Sequence, residues 1–243
     1  LFKPAGRGLA LTEAGLAALP LAEQIFQLGE RLHDTVRDAA TRSGVRLAVG
    51  ISDGLPKLAV RDLLAPALDQ PHIRLLCHED EFEDLLGDLA LHRLDVVLSD
   101  RPASANPNLR LYSHPLGSSP LGWYAPERWL AQARENFPHN LAELPVLLPT
   151  SHAAVRARID HWFERHNVRP RVVGEFEDSA LLSTFGASGL GVFPAPERMR
   201  ETLGQRYGSH WFADCGGVQE HFYAIGTERK VQHPLVKRLL GLD

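Results

Sequence analysis

Carboxylates stand beside hydroxyls at three places where the local pattern closes a strand and opens a turn or helix: Ser52-Asp53-Gly54-Leu55-Pro56-Lys57, Ser99-Asp100-Arg101-Pro102, and Glu175-Phe176-Glu177-Asp178-Ser179. A helix start presents unpaired backbone amides. The first segment can therefore hold an anion or aim the Ser52 hydroxyl at a ligand, or it can be a plain turn in which Ser52 or Asp53 satisfies those amides. If the first two segments end neighbouring strands, Asp53 and Asp100 converge, and two carboxylates with serine and main-chain oxygens suit a hard cation such as sodium. The competing reading of Asp100 is a pair with Arg101 or a turn cap. In the third segment, strand alternation puts Glu175 and Glu177 on one face, flanking either solvent or a cleft. Asp178 or Ser179 then falls where a helix N-cap is expected.

Signatures of catalysis are poor. The 12 histidines are scattered, and His161 and His166 are too far out of helical phase to share one metal. Gly186-Ala187-Ser188-Gly189 lacks the spacing of a nucleophile elbow, and the same glycines fail the dinucleotide-binding order. No catalytic residue and no resident cofactor or metal is assigned. Cys77 and Cys215 stand isolated, which excludes a disulfide framework and a cysteine metal cluster and fits a reducing compartment. A formal net charge of −4 argues against a main nucleic-acid surface within these residues. Lys3 and Arg7 are the exception, a small basic pair able to touch phosphate. No apolar run approaches the roughly 20 residues needed to span a bilayer and no secretory leader opens the chain, so a soluble cytoplasmic protein without membrane association is expected.

The elements that must position these side chains follow an α/β pattern. Residues 46–52 read as a buried strand, 58–68 as a helix, 73–78 as a strand, 81–91 as a helix and 95–99 as a third strand. These make two β-α-β units and hence a parallel sheet. Residues 109–114 and 119–124 read as extended crossings with Gly117 and Ser118 as a hinge between them. A second lobe repeats the theme: strands at 146–148, 172–176 and 191–193, helices at 153–166, 179–187 and 197–203. Residues 220–225 return as a strand and 234–240 close the chain as a helix. The fold class is α/β, two Rossmann-like lobes preceded by a long helix, and ligands of such sheets sit between lobes at strand ends.

The long helix is read from Leu11, Ala14, Ala18, Leu21, Ile25, Leu28, Leu32 and Ala39, which recur at spacings of three and four after the capping residue Thr12. This is a heptad-like seam, with Leu21, Ile25, Leu28 and Leu32 as dimerisation residues. An ordinary amphipathic helix packed on its own domain is the alternative. Pro20 should kink or restart the helix near Leu16.

Three groups of residues carry a family resemblance. Leu1-Phe2 through Leu9-Ala10-Leu11-Thr12-Glu13-Ala14-Gly15 resembles the passage from a winged helix-turn-helix into the linker helix of LysR-type transcriptional regulators. Leu94-Asp95-Val96-Val97-Leu98 and Gly189-Leu190-Gly191-Val192-Phe193-Pro194 resemble that family's helix-to-strand passage and its glycine turn. The resemblance implies a periplasmic-binding-protein-like effector domain divided as 1–11 (end of the winged helix-turn-helix), 12–43 (linker and dimerisation helix), 44–116 plus 218–243 (lobe I) and 117–217 (lobe II). It implies a homodimer or homotetramer, promoter DNA bound through an N-terminal domain upstream of these residues, and a small effector or ion in the inter-lobe cleft. Family placement adds Thr150, Ser151 and Phe193 to the cleft candidates Ser52, Asp53, Asp100, Arg101, Glu177 and Asp178, although the strand pattern of Phe193 also suits a core residue. Further segments, among them Gly174-Glu175-Phe176-Glu177-Asp178-Ser179-Ala180-Leu181, resemble the members that activate sodium/proton antiporter genes, which implies sodium or a related ionic cue as effector. The competing class is a solute-binding module of the periplasmic type.

Overall fold

The computed structural model describes residues 1–5, 8–40, 45–69, 72–104, 111–227 and 233–241. By their contacts they fall into two units, Leu1–Arg46 with Pro71–Arg74, and Leu47–Gln70 with Leu75–Asp243.

In the first unit, β1 (Phe2–Ala5) and β2 (Gly8–Leu11) form an antiparallel hairpin in which Phe2 faces Leu11. Helix α1 (Glu13–Ala40) follows directly. Thr12 caps it as the sequence suggests: its Oγ1 accepts from the Gly15 amide at 3.1 Å, while its own amide donates to the Leu1 carbonyl at 2.9 Å. Gly15 is required there, because a Cβ would lie 2.1 Å from the Leu1 oxygen. Pro20 sits inside one continuous helix, so the expected restart near Leu16 does not occur. The ring removes one hydrogen bond, whereas a restart would forfeit those of a whole turn. Leu21, Ile25 and Leu32 are exposed, as are Leu16 and Phe26. Leu28's side chain lies outside the described residues, as does Arg7; Lys3 is exposed on β1 opposite Ala10.

The second unit is built on a six-stranded mixed sheet. Strands β3 (Val45–Ser52), β4 (Ile73–Asp80) and β5 (Val96–Ser99) alternate with α2 (Lys57–Leu68) and α3 (Phe82–Ala90). Strands β3 and β5 are parallel neighbours with Gly50 opposite Val97. The Asp95 carboxylate accepts the Ala48 amide at 2.7 Å and pins the start of β5 against β3. The core here is Ala48, Leu85, Leu89, Leu94, Val97 and Ile225.

Two long strands, β6 (Leu111–Pro126) and β10 (Ser209–Thr227), run antiparallel to one another and carry the sheet onward to β9 (Phe193–Pro196), in the order β4-β3-β5-β10-β6-β9. The two crossings expected at 109–114 and 119–124 are thus one strand. At the position expected to be a hinge the pairing carries a bulge, where Gly117 adopts φ +123° and the register slips between Phe222 and Tyr223. Beside β9 lie α4 (Glu127–Arg134), the parallel pair β7 (Pro145–Pro149) and β8 (Arg171–Phe176), α5 (Ala154–Arg165), α6 (Ser179–Ala187) and α7 (Arg200–Tyr207). The chain closes with α8 (Pro234–Leu239).

The strand expected at 191–193 begins instead at Phe193. Pro194 and Pro196 read as strand breakers, yet β9 is the edge strand and pairs only with β6, where a missing amide costs nothing. The second core is aromatic: Trp123 lies 5.7 Å from both Trp162 and Phe163, ring centre to ring centre, and all three are buried. Among the described residues no helix is long and apolar enough to cross a membrane.

Candidate ligand-binding cleft

Strand β5 delivers its C-terminal residues to the start of α5. That helix has no cap of its own, since Ala153 precedes it. Asp100 supplies one: its Oδ2 accepts the Ala154 amide at 2.7 Å, and its Oδ1 accepts from Arg101 Nε at 3.1 Å. Arg101 also donates through Nη2 to the His152 carbonyl and lays its guanidinium over the Phe82 ring at 5.3 Å. Asp100 is only 2% exposed, so these partners compensate a buried carboxylate. Gly54 closes the contact from the β3 side. A Cβ there would meet Asp100 Oδ2 at 3.1 Å and the Ala153 Cα at 3.2 Å, an approach that favours glycine.

This clasp separates two cavities that share Gly54. The larger, ≈ 140 Å³, is lined by Ser52, Asp53, Glu81, Phe82, Glu83, Arg101 and His152. The smaller, ≈ 40 Å³, has room for about three water molecules. Its walls include Pro56, Glu177, Ser179, Leu182, Ser183, Pro194 and Glu220. The hydroxyls of Ser52, Thr150 and Ser179 are buried without a hydrogen-bond partner, which marks the cleft as unfinished polar ground.

Each residue singled out from sequence has a definite place. Ser52, Asp53 and Arg101 line the larger cavity and Glu177 the smaller; Thr150 contributes an unpartnered hydroxyl. Asp178 caps α6, accepting the Leu181 amide at 2.6 Å, and lies 3.5 Å from Lys57 Nζ, which reaches Glu79 at 2.9 Å. Glu175 pairs with Arg156. Ser151 is exposed and lines neither cavity, because the turn directs it away from the cleft. Phe193 is likewise not a ligand platform: it is fully buried, stacked on Tyr124 at 5.9 Å, and fills the space that the absent side chain of Gly186 leaves, while Pro194 reaches the cleft. Asp53 and Asp100 do not form a cation site by themselves. Both Asp100 oxygens serve the clasp, and among the described residues no group of three His, Cys, Asp or Glu side chains converges as a metal site.

Glu220 is a cavity-lining acid that the sequence reading passed over. It sits on β10 opposite Ser119, is 3% exposed, and lines the smaller cavity. Burial, reinforced by the negative charge of Asp100 and only partly offset by Arg158, pushes its carboxyl up to about 8. Its signal lay in the alternation Val218, Glu220, Phe222, Ala224, which places a carboxylate on the buried face of a strand.

A mixed sheet curled into two lobes, with orphaned polar groups in the groove between them, defines a ligand-binding domain of the two-lobed effector type. The LysR substrate binding domain profile matches residues 40–242, and the chain belongs to the LysR family of transcriptional regulators. The Transcriptional activator protein NhaR of Escherichia coli (strain K12) is 31% identical over 252 residues, covering 100% of this chain and 80% of that protein. The Nitrogen assimilation regulatory protein nac of the same organism is 24% identical over 234 residues, 91% of this chain and 68% of nac. Among solved structures, CbnR, a LysR family transcriptional regulator, superposes with a TM-score of 0.66 at 19% identity, over 96% of this chain and 80% of CbnR. The effector binding domain of QuiR in complex with shikimate gives 0.60 at 14% identity, over 82% and 95%. These two share the fold. The relatives are regulators, not enzymes, and not periplasmic solute-binding modules.

Proposed function

We propose that this chain is the effector-sensing part of an NhaR-like transcriptional activator that works in the cytoplasm on promoter DNA as a homodimer or homotetramer. We divide it as a wing end at 1–11, a linker helix at 12–43, lobe I at 44–116 plus 218–243 and lobe II at 117–217. The observation that carries the reading is the clasp Asp100–Ala154 standing between two cavities with unpartnered hydroxyls. A ligand that prefers one lobe arrangement shifts the population toward it, and only differential affinity can do so. Sodium or a related ionic cue is our proposed effector, supported by the likeness to NhaR. The exposed Leu21, Ile25 and Leu32 of α1 support self-association.

Two measurements test this. Thermal unfolding of the purified chain in sodium against potassium at fixed ionic strength should show a sodium-specific rise in Tm that saturates with concentration. Light scattering should give a dimer or larger that I25D converts to monomer. A monomeric parent chain or identical melting in both salts would overturn the corresponding half of the reading.

A further inference from the structure

We propose that the chain carries a second ligand site, remote from the cleft, which takes a free α-amino acid with an apolar side chain. A cavity of ≈ 470 Å³ opens on the far side of the β7–β8 pair, more than three times the volume of the larger cleft cavity. That size falls within the range of about 300–1,000 Å³ usual for small-molecule sites. Its walls come from α4, the short helical turn His139–Ala142 that follows, and the residues where β7 and β8 begin. The cleft stands at the other ends of those strands, about 16 Å away along the five residues of β7. Neither cleft cavity shares a lining residue with this one.

The chemistry of the walls carries the argument. Trp129 supplies a fixed aromatic platform: its indole Nε1 donates to the Gly189 carbonyl at 2.9 Å, and the Arg128 guanidinium lies over the ring at 4.7 Å. Leu144 and Pro145 extend this apolar wall. Around it stand charges of both signs, Arg171 against Glu135 and Glu143, yet among the described residues Arg171 forms no ion pair with either acid. Its Nη1 donates to the Glu143 carbonyl at 3.3 Å, which steadies the guanidinium and leaves its remaining N–H groups available. One wall atom is an orphan. Asn140 spends its Nδ2 on the Gln132 and Ala133 carbonyls at 2.8 and 3.0 Å, while its Oδ1 is buried and accepts no hydrogen bond among the described residues.

A ligand must answer this set as a whole. A simple anion would meet two carboxylates, a simple cation would meet Arg171, and an uncharged polyol would leave both signs unmatched. An α-amino acid matches it. Its carboxylate pairs with Arg171 through charge-assisted hydrogen bonds, and its side chain lies on the Trp129 platform. The ammonium group carries three N–H donors, enough for both glutamates and the orphaned Asn140 oxygen.

Calorimetric titration of the whole chain with L-leucine and L-phenylalanine tests this, with the amide and the N-acetyl derivative of each, and glucose, as comparisons. At least one of the two amino acids should bind saturably at one site per chain. Its amide, which lacks the carboxylate, and its N-acetyl form, which lacks the ammonium, should each bind at least about tenfold more weakly. R171A should lose at least about tenfold in affinity for the amino acid and nothing for the amide. A chain carrying both E135Q and E143Q should weaken toward the amino acid and not toward the N-acetyl form. All three side chains are exposed, so these variants should keep the parent Tm. Silence toward both amino acids, saturable binding of glucose in their place, or amino-acid binding that R171A leaves unchanged overturns the inference. Each of these outcomes is independent of the salt and light-scattering measurements that test the cleft and the dimer.

Discussion

Helices α5 and α6 both begin at the cleft and both have a carboxylate on an amide of their first turn, but they obtain it differently. At α6 the cap is local: Asp178 holds the amide of Leu181, three residues on. At α5 it is borrowed: Asp100 reaches the amide of Ala154 from 54 residues away. A local cap forms whenever its helix forms. A borrowed cap exists only while the end of β5 and the start of α5 are together, so it reports on the arrangement of the cleft as well as on the helix. The same bond is structural at one site and a sensor of geometry at the other.

The contrast can be sharpened most with E220Q. Between the ordinary carboxyl value of 4.5 and the folded-state value of about 8, the folded protein keeps a proton that the unfolded chain has lost. Stability therefore falls as pH rises through that window, by up to about 1.4 kcal/mol per unit, and is flat above it. E220Q lacks this slope. In urea melts it should gain on the parent chain from pH 5 to 8, reaching a lead of about 3 kcal/mol after allowance for relaxation around the buried group.

D100A breaks the borrowed cap directly and strands the Ala154 amide and Arg101, for an expected loss of about 2–3 kcal/mol at pH 7. It should also let Glu220 ionise at lower pH. D178A removes only the local cap, at about 1 kcal/mol, and should leave any ligand response of the cleft nearly intact. R101A removes one of the two donors to the buried Asp100 carboxylate and should also cost about 1 kcal/mol, discounted for the partial exposure of the Arg101 side chain. If D178A disturbed ligand response as strongly as D100A, the distinction between the two caps would fall.

Much of this molecule is legible in sequence where the cause is local. Thr12 and Asp178 announce their caps by position, the seam of α1 shows in its spacing, and β3, β5 and α6 follow from apolar runs bounded by turn residues. The failures have tertiary causes. Asp100 offers no hint that its partner lies on another helix. Pro194 and Pro196 look like terminators until β9 is known to be an edge. Phe193 alternates correctly but faces the core because Gly186 makes room for its ring. Glu220 was overlooked because only part of β10 was recognised; with the strand cut to residues 220–225, the alternation from Val218 that turns it inward is lost.

Strands β6 and β10 pass from one side of the cleft to the other as a single paired ribbon, interrupted by the slip beside Gly117 and by two more, between Asp214 and Gln219 and between Trp211 and Ala213. Such a connection is a leaf spring and not a swivel. Any closing of the groove would have to bend two hydrogen-bonded backbones together, so its two sides are not free of one another.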